Sequence, residues 1–80
     1  MRRGDVIIVT LPGDFGKPRP AAVIQSDRLV GLDTVIVCPF TTSVSEEVTL
    51  RPTIEPDAAN GLHVRSQAMV EKLTTFRLSA

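Results

Sequence analysis

Short runs of β-branched and apolar residues, each cut off within a few positions by Gly, Pro, Asp or Ser, recur along the chain and confine it to a small fold built of strands. Residues 6–11 (VIIVTL) lie between Gly4-Asp5 and Pro12-Gly13-Asp14. Residues 21–25 follow Pro18-Arg19-Pro20 and stop at Ser26-Asp27. Residues 34–38 form the third run, and Pro39 is expected to end it because proline offers no N–H to a ladder. Residues 47–51 alternate polar and apolar as a half-buried strand does, and 53–55 continue them beyond Pro52. The last candidates are 67–70 and 73–76. The composition of 66–76 tolerates a helix, but Val70, Thr74 and Thr75 favour strands, and no long helix is predicted. Strands this short and closely spaced predict a mainly β fold, a small SH3-like antiparallel barrel, with all 80 residues in a single domain.

A chain of 80 residues buries only roughly 60% of its unfolded surface, so its core needs reinforcement. Cys38 is the single cysteine and His63 the single histidine, which excludes an intramolecular disulfide and a structural zinc site. A second copy of the chain is the expected source of extra burial, so a homodimer is predicted. Hydrophobic residues at 42% and charged residues at 22% describe a soluble globular domain. The longest apolar stretches are far too short to cross a bilayer, and no membrane association is expected. Arg2 and Arg3 lead into Gly4-Asp5 rather than an apolar run, so no signal peptide is expected and the cytoplasm is the default compartment. Nine Lys and Arg balance nine Asp and Glu. Attraction to a polyanion would therefore need a local concentration of positive charge. The first twenty residues carry Arg2, Arg3, Lys17 and Arg19 against Asp5 and Asp14, whereas in the middle Glu46, Glu47, Glu55 and Asp57 face Arg51 alone.

Most catalytic constellations are missing. A single histidine cannot form a two-imidazole acid–base pair, and His63 lies in the turn-like Asn60-Gly61-Leu62-His63, where a surface role is expected. Cys38 belongs to an apolar run and reads as a small buried hydrophobe. Glu46 and Glu47 are neighbours that point to opposite faces of a strand. Neither a phosphate-cradling Walker sequence nor a dinucleotide fingerprint is present, and no ligand cluster supports metal catalysis; no metal or cofactor is expected.

Two segments remain. In residues 13–20 (GDFGKPRP), Pro18 and Pro20 fix the backbone on either side of Arg19, whose planar fork of donors suits a phosphate. Phe15 is placed to stack on an unpaired base, worth roughly 1–3 kcal/mol, while Gly13 and Gly16 permit positive φ. The same residues also describe a tight hairpin with solvated charges, and spacing alone leaves both readings open. In the second segment, Pro39-Phe40-Thr41-Thr42-Ser43, Thr41 reads either as an ordinary loop threonine or as a hydroxyl facing a groove.

Taken together, these blocks resemble the MazF/PemK family of bacterial toxins from type II toxin–antitoxin systems. The matching residues are Arg3-Gly4-Asp5-Val6, Gly16-Lys17-Pro18-Arg19-Pro20-Ala21, Val23-Ile24-Gln25-Ser26-Asp27, Pro39-Phe40-Thr41-Thr42, Asn60-Gly61-Leu62 and Ser66-Gln67-Ala68-Met69-Val70-Glu71-Lys72. The resemblance implies an SH3-like barrel that dimerises and cleaves single-stranded RNA without a metal, the ribose 2′-hydroxyl attacking the adjacent phosphate to leave a cyclic phosphate and a 5′-hydroxyl. It implies Arg19 and Thr41 as catalytic residues, and Phe15, Lys17, Thr42, Glu71 and Lys72 as RNA contacts. It also implies a cognate antitoxin, and a C-terminal helical segment that this sequence does not show before Ala80, so a C-terminally shortened toxin domain is expected. A guanidinium, which keeps its proton, suits charge stabilisation of a phosphorane better than a general-base role. The alternative within the same fold family is a CcdB-like poison of DNA gyrase. A proline-peptide adaptor is disfavoured because its groove needs aromatics, and this chain has only Phe15, Phe40 and Phe76.

Overall fold

The computed structural model describes residues 1–13, 16–29, 31–45 and 50–78. Strands β1 (Val6–Thr10), β2 (Pro18–Val23), β3 (Thr34–Thr41), β4 (Thr53–Ile54), β5 (Ser66–Ala68) and β6 (Thr74–Arg77) follow in chain order, with one 3-10 turn at Val70–Lys72. Every pairing is antiparallel, in the order β1-β2-β3-β5-β4 with β6 also on β3. The mainly β expectation holds. No ladder joins β1 to β4 among the described residues, so the sheet curls without hydrogen-bonded closure.

Strand β3 organises the molecule because it has a different neighbour for each part of its length. On one side, residues 37–39 pair with β2. On the other, residues 34–37 pair with β6 and residues 40–41 with β5. Its two faces bury different clusters, as alternating side chains on a strand must. Val35 and Val37 pack with Val9, Ala21 and Val23, whereas Cys38 and Phe40 pack with Leu62 and Ala68.

Four sequence expectations give way to the structure. Pro39 does not end the third strand but lies buried inside it. Its carbonyl accepts from Met69 N at 2.8 Å, on the side away from β2. The N–H that proline lacks would face Met69, whose carbonyl accepts instead from Lys72 N at 2.9 Å, so no acceptor is left over. The second strand begins at Pro18, not Ala21, and ends at Val23. Val23 N donates to Asp5 O at 2.8 Å, so the odd positions of β2 serve β1, while Pro18 and Pro20 direct their missing N–H groups away from it. Beyond Val23, the Gln25 side chain extends the ladder, accepting from Ile36 N at 3.2 Å and donating to Thr34 O at 3.3 Å. For the stretch 47–51, residues 47–49 lie outside the described residues, and Leu50 and Arg51 form a turn and bend rather than a strand. Val70 belongs to the 3-10 turn rather than to β5.

Candidate active site

Arg19 is carried on β2 between two prolines, and its Nη1 donates to the Phe40 carbonyl at 3.1 Å in a partly buried contact. That bond crosses from β2 to β3 and holds the guanidinium beside Thr41, the residue that follows Phe40. Thr41 Oγ1 accepts from Ser43 N at 3.1 Å, a local turn that orients the hydroxyl and leaves its proton to be donated. Opposite Thr41 on β5 lies Gln67, buried, whose amide braces Ser45 in both directions: Ser45 N donates to its Oε1 and its Nε2 donates to Ser45 O, each at 3.1 Å. The segment leaving β3 is thus held at Thr41 and again at Ser45.

Two clefts meet at Arg19. One, of about 100 Å³, is lined by Lys17, Arg19, Phe40, Thr41 and Thr42 among others. The other, of about 280 Å³, is lined by Leu11, Gly13, Arg19, Met69, Lys72 and Thr74 among others. Arg19 therefore stands in the shared wall, with Lys17 and the two threonines on one side and Lys72 on the other. Gly13 and Gly16 both adopt positive φ, at 78° and 71°, a conformation that glycine takes without steric cost. Lys17, Arg19 and Lys72 converge on this surface of a chain with no net charge, the local concentration that binding a polyanion requires.

Of the residues expected at the site, Lys17, Arg19, Thr41, Thr42 and Lys72 are brought together around these clefts. Phe15 lies outside the described residues. Glu71 is not among the residues lining either cleft; its carboxylate is engaged by Arg51, whose Nε lies 3.1 Å from both carboxylate oxygens and whose Nη2 bonds Oε2. The Arg51 hydrogen bonds, and secondly a backbone bond at Glu71 itself, lower the carboxyl to about 2. Sequence reading missed Arg51 and Gln67; the only signal for Arg51 was its isolation among acidic neighbours. Cys38 is buried, and burial followed by the Glu71 charge pushes its thiol pKa up, which disfavours a thiolate nucleophile. His63 is exposed, as its loop setting predicted.

Comparison with known proteins gives this geometry its context. Residues 2–80 match the family described as the PemK-like, MazF-like toxin of type II toxin–antitoxin systems. The chain is 46% identical over 81 aligned positions to a probable endoribonuclease MazF from Mycolicibacterium smegmatis, the alignment covering 100% of this chain and 74% of that protein. A match over nearly the whole length, with the motif residues gathered around Arg19, places the chain in the PemK-like, MazF-like toxin family.

Proposed function

We propose that this chain is the toxin of its toxin–antitoxin pair and acts as an endoribonuclease on single-stranded RNA, with Arg19 and Thr41 at the scissile phosphate. The observation that carries the reading is the bond from Arg19 to the Phe40 carbonyl, which fixes a cation beside Thr41 in a cleft that also receives Lys17. The 2′-oxygen forms a bond to phosphorus as the bond to the 5′-oxygen breaks; the 2′-hydroxyl proton is released and a proton reaches the departing oxygen. Arg19 stabilises the charge that builds on the phosphorane oxygens. Thr41 donates its hydroxyl proton to one of them. Lys17, Thr42 and Lys72 hold neighbouring phosphates and sugars, with Lys72 in the second cleft so that the strand passes over Arg19. The family match and the relative's name support this reading over the gyrase-poison alternative.

The functional unit is a homodimer in the cytoplasm. Leu29, Leu32 and Leu78 stand about half exposed around a cleft of about 230 Å³, a surface suited to cover by a second copy. Among the described residues no helix is long and apolar enough to cross a membrane. The antitoxin supplies an acidic or amphipathic segment that folds on binding and competes with RNA for the Arg19 surface.

Incubation with a long single-stranded RNA in EDTA, with mapping of the ends, tests the proposal. Discrete cuts leaving 5′-hydroxyl ends, lost in Arg19→Ala while the fold persists, are expected. Full cleavage by a folded Arg19→Ala variant would sink the assignment of Arg19, and intact RNA with the unaltered protein would sink the nuclease reading.

A further inference from the structure

Resting on the nuclease reading, we infer that Pro20 is a positioning residue for Arg19, and that it acts through the N–H it lacks. Strands β2 and β3 pair Ala22 with Cys38, and Ile24 N donates to Ile36 O at 3.1 Å, so the even positions of β2 serve the even positions of β3. Two residues further along, the same alternation brings Pro20 opposite Phe40. A residue with an N–H at position 20 would donate it to the Phe40 carbonyl, continuing the antiparallel ladder. Proline cannot, and the ladder stops at the pair Ala21–Pro39. The Phe40 carbonyl is instead taken by Arg19 Nη1 at 3.1 Å. The proline thus reserves a strand carbonyl for a side chain, and the side chain it receives is the cation beside Thr41.

Pro18 does not do the same. Opposite it in this register is Thr42, whose carbonyl already accepts from Val44 N at 3.0 Å. Only the proline after Arg19 leaves an acceptor for the guanidinium. Each proline also stiffens the residue before it, Lys17 for Pro18 and Arg19 for Pro20, so Pro18→Ala reports loss of a neighbouring proline, while the position-20 amide and the Arg19 guanidinium report acceptor release directly.

The test compares Pro20→Ala and Pro18→Ala with the unaltered full chain. In Pro20→Ala the new amide at position 20 is expected to be protected from hydrogen exchange at least 100-fold relative to an unstructured peptide. The Arg19 guanidinium resonances should shift and broaden as Nη1 loses its partner. The cleavage kcat should fall about tenfold or more with KM within about twofold, and the midpoint of thermal unfolding should not drop. Pro18→Ala should lower kcat by less than about threefold. An unprotected amide at position 20 would overturn the register argument. A protected amide with unchanged Arg19 resonances or unchanged kcat would overturn the positioning role, as would equal losses in both variants. The amide and guanidinium measurements need no RNA, so they decide the geometry even if the unaltered protein proves not to be a nuclease.

Discussion

Arg51 and Glu71, twenty residues apart in sequence, are joined by a two-pronged ion pair that ties the bend before β4 to the 3-10 turn carrying Lys72. The pair neutralises a carboxylate beside the proposed RNA surface, and anchors the turn at the residue next to Lys72. Its acid dependence follows from linkage. The Glu71 carboxyl falls from its ordinary 4.5 to about 2 on folding, chiefly through Arg51, so between these values the unfolded chain binds the proton and the folded chain does not. The pair's contribution is complete above the ordinary value and is lost as pH falls through the folded one. Glu71→Gln should therefore unfold at a lower temperature than the unaltered protein near neutral pH. That gap should close as pH falls from 4.5 to about 2. Thermal melts across this range check it; a gap that does not vary with pH would show that the pair contributes nothing.

Lys72 lines a cleft with Arg19, and the RNA contact proposed for its flexible ammonium is electrostatic. Single-stranded DNA of matched length lacks the 2′-hydroxyl and allows binding to be measured without cleavage. Lys72→Gln should make the slope of log K against log salt less negative by about 0.7, one phosphate contact on a single strand. An unchanged slope would remove Lys72 from the interface.

Gln67 is buried on β5 and meets Ser45 with both ends of its amide. Gln67→Ala leaves a backbone donor and acceptor at Ser45 without that partner. The expected cost is about 1–3 kcal/mol. In a domain this small each kcal/mol corresponds to roughly 4–8 °C in Tm. Urea titration reads the loss, and cleavage should weaken with it because the segment from Thr41 to Ser45 is released.

Cys38 combines burial with a raised thiol pKa. An aromatic disulfide reagent at neutral pH should label the native protein at least about a hundredfold more slowly than the urea-unfolded chain. Rapid labelling of the native state would mean that β3 opens readily, which its position between β2 and two further strands argues against.

Much of the fold was legible because a β-branched run between punctuating residues has few other uses. Residues 6–11 and 34–38 read as strands on that basis, and the structure has strands at Val6–Thr10 and Thr34–Thr41. The errors gathered at prolines. Pro18, Pro20 and Pro39 were read as boundaries, yet all lie within strands, since a missing N–H is tolerated wherever the opposing side has no carbonyl left over or a side chain takes it. Local sequence says nothing about which side of a strand an N–H will face, so that outcome was not readable. At the site, the motifs that carry Lys17, Arg19, Thr41, Thr42 and Lys72 were legible by resemblance, and the structure brings these side chains around two adjoining clefts. The pairing of Glu71 with Arg51 was not, because it joins positions whose proximity depends on tertiary folding.

Because β3 takes its neighbours from β2 before it and from β5 and β6 after it, the Arg19 surface has no local route of assembly. Arg19 and Thr41 come from β2 and β3, and Lys72 and the brace at Gln67 from β5 and the turn that follows it. Non-local strand pairing of this kind is slow, on the order of milliseconds to seconds. A nascent chain, or one clipped in the loop between β4 and β5, carries the proposed reactive pair without the second wall that would hold a strand against it. The two walls around Arg19 therefore come together only when the last partner of β3 is in place.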